Sequence, residues 1–215
     1  MAKRRKVGNL LALALLALLV PGRPMHPYEM ATLLRRTGKE QDMKIKWGSL
    51  YTVVANLEKY GFIAPVDTGR AGRRPERTRY TITEAGHAEL RDWLRELVAD
   101  PHREQPRFAA ALSVLGVLPP DEAAELLGQR LRTLDGEIEA ERAAQAGYAA
   151  EVPRLFLIES EYGLAIRAAE ATWIRSLLTE LAEGSLPGLA DWRHWHETGA
   201  APPELTALLY GDRND

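Results

Sequence analysis

A chain of 215 residues with 46% hydrophobic content is long enough for one large domain or two modest ones, each with its own core. Cysteine is absent, which excludes a disulfide framework, a thiol nucleophile and a cysteine-based zinc site. The net charge of −2 conceals an asymmetry: residues 1–98 hold 18 Lys/Arg against 10 Asp/Glu, and residues 99–215 hold 10 against 20. A basic front and an acidic rear direct any polyanionic partner to the front alone.

In chain order, a basic cluster from Lys3 to Lys6 precedes an apolar run from Leu10 to Val20. The run is too short to span a membrane and ends in Pro21-Gly22-Arg23-Pro24 without a small-residue cleavage site. It is therefore read as the first helix, about Val7 to Val20, of a three-helix core rather than as a secretion signal. The basic cluster either touches a phosphate backbone or forms a solvated terminus. The second helix starts at Pro27 with His26 as cap, carries Tyr28, Met30, Ala31, Leu33 and Leu34, and ends near Thr37. Gly38 to Ile45 is a connection. Trp47 follows, either packing on the domain or lining a ligand site.

The third helix is the most informative stretch. Leu50, Val53, Val54 and Leu57 recur at the offsets of one helical face. Thr52, Ala55 and Lys59 then face the other way, with Ser49, Tyr51 and Asn56 on the flanks. That outward side is small, polar and singly basic, so it can approach base edges closely. Gly61 suits the left-handed position after a helix. Phe62 to Val66 reads as a strand whose Pro65 favours a sheet edge, and Thr78 to Ile82 alternates as its return strand. The loop between them carries Arg70, Arg73, Arg74 and Arg77, with Arg79 in the return strand. Guanidinium groups at this density match phosphates spaced along a backbone. A solvated hairpin tip is the plainer reading; the helix and strand before it favour contact with DNA.

At Gly48-Ser49-Leu50-Tyr51, Leu57-Glu58, Gly61-Phe62-Ile63, Gly72-Arg73-Arg74-Pro75 and the run Tyr80 to Gly86, the chain resembles the PadR family of transcriptional regulators. The segment Pro24 to Met30 also fits, although Pro27 stands where many members have glycine. The resemblance is specific over about residues 7–98 and architectural beyond. It implies a dimeric, usually repressing regulator, often released from DNA by a small molecule.

Thr83 is expected to cap a fourth helix with an apolar stripe of Leu90, Trp93, Leu94 and Leu97. Asp100 and Pro101 mark a boundary. Beyond it come a short helix from Phe108 to Leu115 and a long one restarted at Pro119-Pro120, with Asp121 placed to cap. Leu127, Leu131, Leu134 and Ile138 give this helix a coiled-coil seam. A second long helix, about Pro153 to Glu183, carries Leu155, Ile158, Tyr162, Ala165, Ala169, Trp173 and Leu177 along one stripe. Two long helices with so little chain to cover them point to a homodimer through these residues.

The fold expected is mainly α: an N-terminal winged helix-turn-helix, with a three-helix core and a two-stranded wing, followed by long antiparallel C-terminal helices. The domains expected are 1–99 for DNA, 100–183 for dimerisation and 184–215 as a tail. The DNA-contact residues expected are Lys46, Ser49, Tyr51, Thr52, Asn56, Lys59, Arg70, Arg73, Arg74, Arg77 and Arg79. The partners expected are double-stranded DNA bearing an inverted repeat, a second copy of the chain and a small-molecule effector of unknown identity, in the cytoplasm and without a membrane. No cofactor and no catalytic residue is expected: there is no phosphate-cradling glycine loop and no G-x-S-x-G elbow. Asp191, His194 and His196 are the one metal-like grouping, but on a helix 194 and 196 point about 200° apart. The plainer alternative is that Trp192 and Trp195 pack the tail down while the histidines face water. The rival to DNA binding is a winged-helix module that binds a protein or senses a ligand.

Overall fold

The computed structural model describes residues 5–39, 43, 45–69, 77–101, 106–148 and 151–201. The chain divides into two compact units, Met1–Glu104 and Gln105–Asp215.

In the first unit, helix α1 (Leu10–Leu19) is the centre. Leu11 to Leu16 and Leu19 are all buried, so the helix is apolar all round and meets α2 (Pro27–Arg36), α3 (Leu50–Lys59), α4 (Glu84–Ala99) and strand β2 (Arg77–Ile82). It starts at Leu10 rather than Val7 because Asn9 caps it, its side chain accepting from the Leu11 amide at 2.9 Å. Helix α2 begins as expected: Pro27 occupies the first turn and His26 Nδ1 accepts from the Tyr28 amide at 3.1 Å. In α3 the inward face is Leu50, Val53, Val54 and Leu57, each buried.

Strands β1 (Ile63–Gly69) and β2 pair antiparallel, with a bulge between Pro65 and Asp67. Tyr80 lies opposite Pro65 but turns its backbone the other way, exchanging bonds of 2.9 and 3.0 Å with Met25. Proline is tolerated in the ladder because this register asks no amide of it.

The N-terminal segment corrects the reading of the basic cluster at Arg5, while Lys6 is exposed. Arg5 is a buried ion, its side chain 4% exposed, and its guanidinium donates to Glu89 at 2.8 Å, Asp92 at 3.1 Å and Glu96. It also lies over the Trp93 ring. Burial disfavours the charge, but the bonds to Glu89, Glu96 and Asp92 outweigh it and raise the Arg5 pKa. Three carboxylates on one side of α4 thus hold this arginine, which neither faces solvent nor remains available to a phosphate backbone. Lys3 and Arg4 lie outside the described residues. The same arrangement explains a second difference. The inward direction of α4 runs through Glu89, Leu90, Trp93 and Glu96, so Leu94 and Leu97 are left exposed rather than on the expected stripe.

In the second unit, α5 (Arg107–Leu112) precedes a long helical hairpin, α6 (Pro120–Tyr148) and α7 (Ile158–Glu183), and α8 (Leu189–Thr198). Pro120 opens α6 and the Ala123 amide bonds back to the Pro119 carbonyl, so Asp121 sits in the first turn instead of capping it. Helix α7 starts at Ile158, later than Pro153, because Arg154–Phe156 form a 3₁₀ turn first. Leu127, Leu134 and Ile138 of α6 pack against Ala171, Ile174 and Leu181 of α7. The α6 seam is thus core of the protomer's own hairpin, which takes these residues out of direct reach of a partner. Cross-pairs such as Arg130 to Glu170, at 2.6 Å, flank it.

Gly86 tests how tightly the first unit is built. A Cβ there would lie 2.0 Å from the Phe62 carbonyl oxygen and 2.8 Å from Ile82 Cγ1. Gly86→Ala should therefore destabilise the chain by about 1–3 kcal/mol or more, despite alanine's better helix propensity. Gly136→Ala, in α6 with nothing within 4 Å of the added atom, should instead stabilise it by roughly 0.5–1 kcal/mol. Denaturant midpoints of the two variants should move in opposite directions.

Candidate nucleic-acid interface

The outward surface of α3 is what its periodicity requires: Tyr51, Thr52, Ala55 and Lys59 are exposed and Asn56 is half-buried. The Lys59 ammonium lies 5.8 Å from the Tyr60 ring, at the C-terminal end of the helix. At the other end, Trp47–Ser49 form a 3₁₀ turn that leads directly into α3. The Ser49 hydroxyl donates to the Lys46 carbonyl at 2.7 Å, closing that turn. Its proton is engaged, which leaves its oxygen lone pairs to interact outward. Lys46 is exposed. Together these residues make a continuous polar edge from Lys46 to Lys59 over a helix whose other face is core.

Of the wing arginines, Arg79 is exposed on β2. Arg77 begins β2 opposite Gly69, and only its backbone is described. Arg70, Arg73 and Arg74 lie outside the described residues.

Two features of the interface escaped the sequence reading. The Arg35 guanidinium on α2 lies 4.2 Å over the ring of Trp47, which is itself half-buried against the core. Helical periodicity gives no signal for a contact made across a connecting loop. The second feature is a tie between wing and helix: the Tyr80 hydroxyl donates to the Glu58 carboxylate at 3.2 Å. Tyr80 is thereby fixed on three sides, by Met25, by its strand partner and by α3. A tyrosine in an alternating strand signals only a half-buried position.

The metal-like grouping resolves into packing. Within α8, Trp192 Nε1 donates to the Leu118 carbonyl at 2.9 Å, and His196 Nε2 lies 2.9 Å from the Gly116 carbonyl. His194 is exposed, so one of the two histidines faces water and the other is hydrogen-bonded. Among the described residues no group of three or more His, Asp or Glu could hold an ion.

Burial, then the nearby Glu58 charge and the hydrogen bond to it, raise the Tyr80 phenol above its ordinary value of about 10. The folded chain holds this proton more tightly than the unfolded one, so this group's contribution to stability falls as pH rises through and above about 10. Tyr80→Phe should lack that component. Its urea midpoint should fall less steeply than the parent's from about pH 9 to about pH 11, with a small loss of stability at neutral pH, about 0.5–1.5 kcal/mol.

Comparison with known proteins points the same way. Residues 15–92 match the Transcriptional regulator PadR-like family. No curated protein matches the chain. Among solved structures, Bacillus subtilis PadR in complex with operator DNA is similar at a TM-score of 0.66 and 21% identity, covering 80% of this chain and 99% of that one. The same protein in complex with p-coumaric acid is similar to the same degree. The Vibrio cholerae virulence activator AphA follows at a TM-score of 0.60 and 19% identity, covering 80% of this chain and 98% of that one. At these identities the structures speak for the fold. The family match itself identifies residues 15–92, within the first unit, as a PadR-like domain.

Proposed function

We propose that the chain is a homodimeric transcriptional repressor of the cytoplasm that reads an inverted repeat in double-stranded DNA and is released by a small-molecule effector. The observation that carries the DNA reading is the polar, exposed edge of α3 from Lys46 to Lys59 on a helix whose opposite face is buried. In this reading α3 enters the major groove, Thr52, Asn56 and Lys59 meet base edges, and Lys46, Ser49 and Tyr51 reach phosphate. Arg70, Arg73, Arg74, Arg77 and Arg79 hold the backbone beside it or enter the minor groove. Capture of Bacillus subtilis PadR with operator DNA supports this assignment. The chemistry is binding, with no bond made or broken.

The dimer rests on α7 and the turn before it. Tyr162 is 69% exposed and Trp173 47%, and Leu155, Ile158 and Ala165 are exposed as well; only Leu177 of the expected stripe is half-buried. An apolar row of this length beside a hairpin core already complete without it favours a second copy as its cover. Leu127, Leu134 and Ile138 support that surface from behind, and half-buried Leu131 lies at its margin. The effector reading is supported by a cleft of about 380 Å³ in the second unit, where Ala146, Val152 and Leu157 sit beside Arg142 and Arg154. Repression is the sense favoured by the family resemblance; activation, the role carried in the AphA name, is the opposite outcome.

Selection of bound duplexes from a random pool tests the reading. The enriched sequence should be an inverted repeat with half-sites one DNA turn, about 34 Å, or a multiple of it apart. Asn56→Ala should cost about 1–3 kcal/mol on that site and relax one base pair in each half. Tyr162→Arg, at an exposed position, should leave a folded monomer that loses on the order of 10²–10⁴ in affinity for the paired half-sites. No enrichment, or a Tyr162→Arg chain that sediments as a dimer and binds like the parent, would contradict it.

A further inference from the structure

Arg35 has an arrangement that its place near the end of α2 does not require. Its side chain is exposed, yet the guanidinium carbon lies over the Trp47 ring, 4.2 Å from its centroid. Trp47 is held in turn by the first unit's core and begins the 3₁₀ turn that leads into α3. Among the described residues no carboxylate or carbonyl accepts from the Arg35 guanidinium, which lies over the ring instead. Stacking uses the face of a guanidinium and leaves its in-plane N–H donors directed outward. An exposed arginine ordinarily samples many rotamers, and ordering it on binding costs conformational entropy. Here the ring has restricted it in advance, next to the end of α3 where Lys46 and Ser49 lie.

We propose that Arg35 is a preorganised phosphate clamp, a DNA-backbone contact supplied by α2, and that Trp47 is the platform that positions it. This rests on the DNA-binding reading above and adds a residue that neither the wing nor α3 provides. The ligand chemistry is that of a phosphodiester oxygen, taken by a planar donor pair in the manner of arginine–phosphate forks. The clamp lies at the end of α3 opposite Lys59, so it fixes how deeply and at what angle the helix enters the groove, without itself choosing bases.

The test is a set of titrations of full-length protein on one duplex across a salt series, with thermal melts run in parallel. Arg35→Gln should bind about tenfold more weakly near 0.15 M salt, with a log K against log salt slope shallower by about one, and an unchanged melting temperature. Arg35→Lys should keep the slope while recovering only part of the affinity, because an ammonium lacks the planar fork. Trp47→Phe retains a ring and should bind nearly as the parent. Trp47→Leu should weaken binding, and adding Arg35→Gln to it should cost less than tenfold, because the two residues act as one unit. A parent that binds DNA while Arg35→Gln matches it in affinity and slope overturns the clamp and leaves the DNA reading intact. Weaker binding with an unchanged slope also overturns it, since that marks a structural role only. A parent that fails to bind duplex at any salt overturns the DNA reading first and the clamp with it.

Discussion

The geometry of the DNA-facing side depends on one close approach, that of the first turn of α4 to the backbone ahead of β1. The Thr83 hydroxyl accepts from the Gly86 amide at 3.0 Å and donates to the Gly61 carbonyl at 2.6 Å, while the Thr83 amide donates to the Phe62 carbonyl at 3.1 Å. These bonds join the exit of α3, the start of β1 and the start of α4 at one point. Gly61, at a φ of +72°, makes the turn that brings the chain there. Gly86 lets helix and carbonyl meet, because any side chain would occupy the space of the Phe62 oxygen. The exit of α3 and the root of the wing are thus tied together, and Tyr80 bonded to Glu58 adds a second tie. A rigid surface is what recognition of a regular duplex needs, since each element must keep its spacing to the other.

The two units divide the physical work differently. In the first, α1 is buried along most of its length, and charge near the core is neutralised internally, as the Arg5 cluster illustrates. In the second, the hairpin core is narrow. Leu127, Leu134 and Ile138 meet Ala171, Ile174 and Leu181, and the adjacent row from Ile158 to Trp173 stays open. Burial of that open row would add to the stability of the hairpin.

Much of this was legible in the sequence, and the rest was not for definite reasons. The offsets of Leu50, Val53, Val54 and Leu57 fix the faces of α3 because helical periodicity is local. The caps of His26 and Thr83 are local too, each bonding an amide within three residues. Arg5 misled because a basic run reads as surface, while its partners Glu89, Asp92 and Glu96 lie far along the chain. The α6 seam was recognisable as a seam, but periodicity cannot say whether a seam meets the same chain or another. Pro153 looked like a helix start, yet the chain first makes a 3₁₀ turn of exposed residues, Arg154–Phe156. The Arg35–Trp47 stack and the Tyr80–Glu58 tie both cross loops, where no period operates.

The central claim is that α3 and the wing form one surface against DNA. A hydroxyl-radical footprint of the full-length protein on its selected duplex tests it most directly. The account predicts two protected patches about one helical turn apart for the pair of α3 helices, each flanked outward by a shorter patch from a wing. Substituting Arg73 and Arg74 together should erase the outer patches and leave the inner ones. Uniform reactivity along the duplex at saturating protein, or loss of the inner patches with retention of the outer ones, would contradict it.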